Sequence, residues 1–307
     1  MTAYRFCRTD DMGRLVEAHN HCWRPDHPAD PPLTLAEFKG LVRERQLWCS
    51  SCLIAYEGEE PVGFVFGCKR EKETLLHRFA VHPSHRRHGH GRHLLTSISS
   101  KAAILGPPRL VVEVPEGGES GLAILRVCGY VQEETLIDWR RPNNGSGSAG
   151  GPTAGTGPPS EIGPPPEAHH EAEGLVIPVT AAELQANGLL ADPSPCPAWE
   201  RAAPSLLALG ERLAGTALVV EERLAASILY MTSGPGGEGR ILRLAASDPV
   251  HAGAQLARLL RGLLQRQDGP WVFPRALPSE PAVEALARHG FHPAARVLRM
   301  AAVAQPA

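Results

Sequence analysis

The chain has 307 residues, 43% of them hydrophobic, enough to bury one or two sizeable cores, and two domains are expected. Its formal charge of -2, from 31 Lys and Arg against 33 Asp and Glu, gives no global attraction to nucleic acid or to an acidic membrane surface. No run reaches the roughly 18 apolar residues of a membrane span, and the opening MTAYRFCRTDDMGRL lacks a signal peptide's apolar stretch; with seven scattered cysteines read as reduced thiols, a cytoplasmic protein without nucleic-acid or membrane partners is expected.

The first half alternates between periods of two and of 3.6. AYRFCR (3 to 8) reads as a strand, and Met12, Leu15, Val16 and Cys22 recur at helical spacing after it. Thr34 and Glu37 have the spacing of a capping box at the start of a second helix. CLIAYEGEEPVGFVFGCKR is a hairpin around the turn EGEEP, and ETLLHRFAVHP (73 to 83) is a third extended run stopped by Pro83. A helix follows with Leu94, Leu95, Ile98 and Ala102 on one face, then strand 109 to 115, a short helix ended by Gly129, and the strand VQEETLIDWR. The order predicts an α/β lobe, layered in the α+β sense, with a mixed sheet flanked by helices.

Residues 142 to 173 hold almost no large apolar side chain and are dense in Gly, Pro and Ser. Such a segment cannot offset its ordering entropy by burial and reads as a flexible linker, with His169 and His170 solvated in it. Lobes are therefore expected at 1 to 141 and 174 to 307. The second repeats the first: Thr180 with Glu183 spaces like Thr34 with Glu37, GRILRLAASDP ends in Pro249 as HRFAVHP ends in Pro83, and Gly290-Phe291 falls opposite Gly129-Tyr130.

FAVHPSHRRHGHGRHLL (79 to 95) lies where a strand hands over to a helix, whose unpaired N–H groups and positive dipole end readily hold an anion. Gly89 and Gly91 let backbone approach a phosphate, and Arg86, Arg87 and Arg92 add charge. The rival nucleotide motifs fail on spacing: no Lys-Ser or Lys-Thr follows the glycines, and the dinucleotide fingerprint's third glycine is Leu94. His82, His85, His88, His90 and His93 read as reinforcing anion binding, with no metal expected. Cys49 and Cys52 in CSSC, lacking a second pair, read as half-buried thiols.

Arg-x-x-Gly-x-Gly, as Arg86, Gly89 and Gly91, within HRFAVHPSHRRHGHGRHLL resembles the GNAT superfamily of acyl-CoA N-acyltransferases, over about residues 3 to 141. The resemblance implies that backbone N–H groups of Arg87, His88, Gly89, His90, Gly91 and Arg92 hold the CoA pyrophosphate, and that Phe79 and Val81 pair with the pantetheine arm where the sheet splays. The two lobes together are similar to duplicated acyltransferases such as mycothiol synthase. The second lobe keeps only Gly253 in HAGAQ and is expected to bind no CoA.

The implied activity is transfer of an acyl group, acetyl in the simplest case, from acyl-CoA to a primary amine of a small molecule or protein, by a monomer or homodimer. The usual base, a Glu on the strand before the loop, falls on Leu75. Period-two alternation places Glu73, Leu75, His77, Phe79 and Val81 on one face, so Glu73 and His77 are the candidate catalytic residues. The usual acid, a Tyr, falls on Leu125 and, in the second lobe, on Leu286. A non-catalytic acyl-CoA-binding regulator or scaffold is the alternative.

Overall fold

The structure, a computed structural model, describes residues 2–143, 174–192, 198–234 and 236–306. The segment expected as a linker, and Cys196, lie almost wholly outside the described residues. In chain order the elements are β1 (Thr2–Phe6), α1 (Met12–Trp23), α2 (Leu35–Glu44), β2 (Leu53–Glu57), β3 (Glu60–Lys69), β4 (Glu73–Val81), α3 (His90–Leu105), β5 (Arg109–Pro115), α4 (Glu119–Val127) and β6 (Val131–Arg141). They continue with β7 (Leu175–Pro178), α5 (Ala181–Ala186), α6 (Ala203–Leu209), β8 (Ala214–Val220), β9 (Arg223–Thr232), β10 (Gly239–Ala246), α7 (Ala252–Arg266), β11 (Trp271–Ala276), α8 (Pro281–Arg288) and β12 (His292–Val303).

The compact units interleave in sequence. One comprises Met1–Ile137, Asp192–Leu209 and Ala295–Ala307; the other comprises Asp138–Ala191 and Gly210–Ala294. The first unit therefore recruits α6 and the end of β12 from the second half of the chain. Val297 to Val303 of β12 pair antiparallel with Pro115 to Arg109 of β5.

In the first unit β1 to β4 run antiparallel, and β4 meets β5 in parallel. Neighbouring side chains on β2 and β3 alternate between two cores, as expected for strands covered on both faces. Leu53, Ala55 and Val65 join Leu94, Leu95 and Ile98 of α3 and Leu122 and Leu125 of α4. Ile54, Phe64 and Phe66 join Leu15, Ala18 and Cys22 of α1 and Phe38 of α2. Helix α2 starts in the predicted capping box: Glu37 N–H donates to Thr34 Oγ1 at 3.2 Å, and Thr34 N–H donates to the Glu37 carboxylate at 2.8 Å. Cys49 and Cys52 are buried in the second core, deeper than expected, and burial raises both thiols.

In the second unit β7 to β10 are antiparallel, and β10 is parallel to β11 over two residue pairs. Leu256, Leu259, Leu260 and Leu263 of α7 and Leu286 of α8 pack with Ile228, Ile241 and Phe273. The Thr180–Glu183 capping box forms as in the first unit. Both units are mixed sheets carrying helices, the expected α/β class.

Candidate active site

Strand β4 keeps company with β5 only at its start: Glu73, Thr74 and Leu75 pair with Arg109, Leu110 and Val111. β5 then pairs with β12 on its other side, and Leu76 to Val81 have no register with β5. Val81 C=O accepts from Arg86 Nε at 3.0 Å, while His82 N–H donates to Val62 C=O of β3. Main-chain groups alternate sides along a strand, so those of Val81 and Phe79 face the edge that β5 has left. Their side chains pack with the α3 core.

One residue breaks the expected single face on β4. Phe66 pairs with Arg78 but Gly67 pairs with Leu76, so His77 is the extra residue of a β-bulge. Leu75 consequently packs in the α1–α2 core with Ala80, whereas Leu76 packs in the α3 core with Phe79 and Val81. A slip of one residue exchanges faces, so Glu73 and Leu75 do not share a face with Phe79 and Val81 as period two predicted.

Glu73 is 9% exposed and sits between two guanidiniums, Arg109 Nε at 3.3 Å and Arg299 Nη2 at 3.4 Å. Arg109 also forms a bidentate pair with Glu133. The carboxylate is thus built into an ion-pair chain from β4 through β5. His77 is different: its Nε2 is sealed from solvent with no hydrogen-bond partner among the described residues. Burial first, and then the charges of Arg45 and Arg78, push its pKa down to about 3. Arg45 is itself paired with Glu200 at 2.9 Å.

Beside the bulge lies a polar group that residue spacing alone did not single out. Arg78 Nη1 donates to Nε2 of His19 at 2.9 Å, and His19 stacks between Trp23 and Phe66. Burial pushes His19 down to about 4. The available signal was its position four residues after Leu15 on the apolar face of α1.

Both histidines are neutral when folded and bind a proton near pH 6.5 when unfolded. The unfolded chain therefore takes up more protons between pH 6.5 and the folded values, and stability falls as pH drops through that window. Each group contributes up to about 1.4 kcal/mol per pH unit. Urea unfolding at pH 7, 6 and 5 is expected to show this loss, and His19→Gln or His77→Gln each to remove about one proton's worth of slope.

The loop after β4 turns through a short 3-10 segment, Pro83–His85, and two left-handed residues, Arg87 at φ 65° and Gly89 at φ 86°. Gly89 caps α3 without any side-chain bond to the helix start. The first helical bond is His93 N–H to Gly89 C=O at 3.0 Å, and among the described residues no hydrogen bond is donated by the N–H groups of residues 87 to 92. Unpaired N–H groups at a helix start are of the kind that can hold an anion. Arg87, His88 and Arg92 are exposed, and His90 is buried. Arg86 is occupied elsewhere, bonded to Asp26 and to Val81 C=O.

The corresponding turn in the second unit carries an acid that answers one of its N–H groups. Asp248 accepts from Val250 N–H at 2.9 Å and lies 2.6 Å from His251 Nδ1, and no residue from 248 to 253 has positive φ. An acid already stands where the first unit offers open backbone. Leu125 and Leu286, at the positions of the expected phenols, are fully buried.

The model of the acetyltransferase (GNAT) family matches residues 12–130. No curated protein matches the chain. Among solved structures it is similar to a tandem GNAT protein from the clavulanic acid biosynthesis pathway, with 15% identity, TM-score 0.64 and full coverage of both chains. It is also similar to a GCN5-related N-acetyltransferase from Anabaena variabilis, with 10% identity, TM-score 0.63, and 99% of this chain and 73% of that one covered. A GCN5-related N-acetyltransferase from Sphaerobacter thermophilus matches with 15% identity, TM-score 0.60, and 99% and 96% coverage. The family model thus matches residues 12–130, and the chain as a whole has the fold of tandem GNAT proteins.

Proposed function

We propose that the protein is an acyl-CoA-dependent N-acyltransferase, using acetyl-CoA in the simplest case, that acylates a primary amine of a small molecule or protein in a ternary complex. The observation that carries this is the uncapped start of α3, with Arg87 and Gly89 left-handed, next to the free edge of β4. These residues fit CoA. A Cβ on Gly89 would meet no atom within 4 Å, so the space before the turn is open to a pyrophosphate. The N–H groups of residues 87 to 92 then bind the phosphates, Arg87 and Arg92 add charge, and the main chain of Phe79 and Val81 extends the sheet to the pantetheine amides.

The amine nitrogen attacks the thioester carbon, its proton passes to a base, and the C–S bond breaks to release CoA thiol. Of the two candidate bases, Glu73 has its carboxylate engaged by Arg109 and Arg299, and its role is to hold β4 in place. His77 keeps a neutral lone pair at the bulge, where binding of the amine would have to open access to its buried Nε2, and the bulge's unpaired main chain is suited to donate to the developing oxyanion. Because His77 stays uncharged above about pH 3, the rate should follow deprotonation of the amine, with no inflection near 6.5.

Incubation with acetyl-CoA and a panel of primary amines, read by thiol release, tests this. At least one amine is expected to be acylated, and His77→Gln to lower kcat roughly a hundredfold or more while Glu73→Gln acts mainly on stability. CoA binding without turnover on any amine would point instead to an acyl-CoA-binding regulator.

A further inference from the structure

Two of the histidines around the glycines share one carboxylate. His85, in the 3-10 turn, and His90, the first residue of α3, converge on Glu57 at the end of β2; one ligand atom from each lies within 4.8 Å of the other two. His90 Nε2 is 3.5 Å from Glu57 Oε1, and His85 Nδ1 is 3.4 Å from Glu57 Oε2. These separations are long for charge-assisted hydrogen bonds, which close to about 2.7–2.9 Å. They match the edge of a tetrahedron around a zinc-class ion, about 3.4 Å for bonds of about 2.0–2.1 Å.

The surroundings point the same way. Nδ1 of His90 lies 2.7 Å from the Tyr4 hydroxyl; in the tautomer with the proton on Nδ1, Tyr4 accepts it and the Nε2 lone pair is available to an ion beside Glu57. Metal-bound imidazoles are oriented by such a partner on the other nitrogen. His90 is 6% exposed, which fixes one ligand, while Glu57 is exposed and His85 half-buried, leaving an entry path and room for a water as fourth ligand. The Glu57 carboxylate offsets the positive end of α3.

We propose that Glu57, His85 and His90 form a binding site for one divalent transition-metal ion of the zinc class, with Tyr4 orienting His90. Two imidazoles and a carboxylate suit Zn2+ and its substitutes Co2+ and Ni2+. The expectation that the histidine-rich run binds no metal is revised accordingly: its third ligand comes from the β2–β3 turn, nearly thirty residues earlier in the chain. The ion would join the end of β2, the 3-10 turn and α3, closing both ends of the loop at Arg86 to Gly89.

Titration of the intact, untagged and metal-stripped chain with Co2+, followed by absorption and calorimetry, tests the site. One Co2+ per chain is expected, with visible d–d bands, no thiolate-to-cobalt band, and a rise in the thermal midpoint. His85→Ala and Glu57→Gln, which change exposed or half-buried side chains, should each weaken binding by roughly tenfold or more, and Tyr4→Phe by about tenfold. Circular dichroism of each variant reports whether it has folded. No d–d bands, bands unchanged in folded His85→Ala and Glu57→Gln, or a thiolate band revealing cysteine coordination would each overturn the proposal.

Discussion

Gly89→Glu is expected to abolish acetyl-CoA binding and turnover while leaving the chain folded. The residue holds φ 86° with no protein atom near its missing Cβ, so a side chain there costs the fold only the left-handed penalty of about 1–2 kcal/mol. Its carboxylate would stand among the N–H groups that the pyrophosphate needs. Like charges brought together at a binding contact cost several kcal/mol, a loss of about a hundredfold or more in Kd. Gly91→Ala is the matched control. Its Cβ would make ordinary contact with Ile124 at 3.7 Å and Val81 at 3.8 Å, directed into the protein and away from the cradle, at the second position of α3. The alanine should raise stability by about 0.5–1 kcal/mol and leave Kd for acetyl-CoA within about twofold. Equal loss of binding in both variants would mean that the glycines matter for the loop's shape and not for an approaching phosphate.

Trp199→Ala should be the most damaging single truncation for the first unit, at roughly 3–5 kcal/mol in urea unfolding. Trp199 is 1% exposed and packs in the core shared by α1, α2 and β3. Its Nε1 donates to Arg45 C=O at 2.8 Å, its N–H to Glu113 at 3.3 Å, and the Arg70 guanidinium stacks 3.8 Å from its ring centre. Arg70 also bonds Trp199 C=O and Ser205 Oγ, at 2.9 and 2.7 Å. The stretch 198 to 209 is thereby held onto the first unit, and its neighbour Glu200 neutralises the arginine next to His77. A loss below about 1 kcal/mol would mean that this stretch contributes no core.

What could be read in advance follows from range in sequence. Capping boxes at Thr34 and Thr180, the strand-to-helix handover at Gly89 and the repetition of one element order in both halves are local patterns, and each is found in the structure. The bulge at His77 is invisible to a period-two count, because a strand with one extra residue still looks alternately apolar over short windows. Trp199 lies in a stretch rich in Ala, Pro and Leu without a sustained period, so nothing local marks it as a core residue of the first unit. The pairing of β12 with β5 joins residues nearly two hundred positions apart, and neither strand encodes its partner. For the same reason Arg299 beside Glu73, and Glu57 beside His85 and His90, emerge only once the chain is folded.

The central claim is that this chain carries one acyl-CoA cradle, built from residues 87 to 92 on the free edge of β4. Calorimetric titration of the intact protein with acetyl-CoA tests it most directly. One saturable site per chain is predicted, because the corresponding turn of the second unit places the Asp248 carboxylate on Val250 N–H and has no left-handed residue from 248 to 253. No heat and no thermal shift would contradict the cradle, and two equivalent sites per chain would contradict its restriction to the first unit.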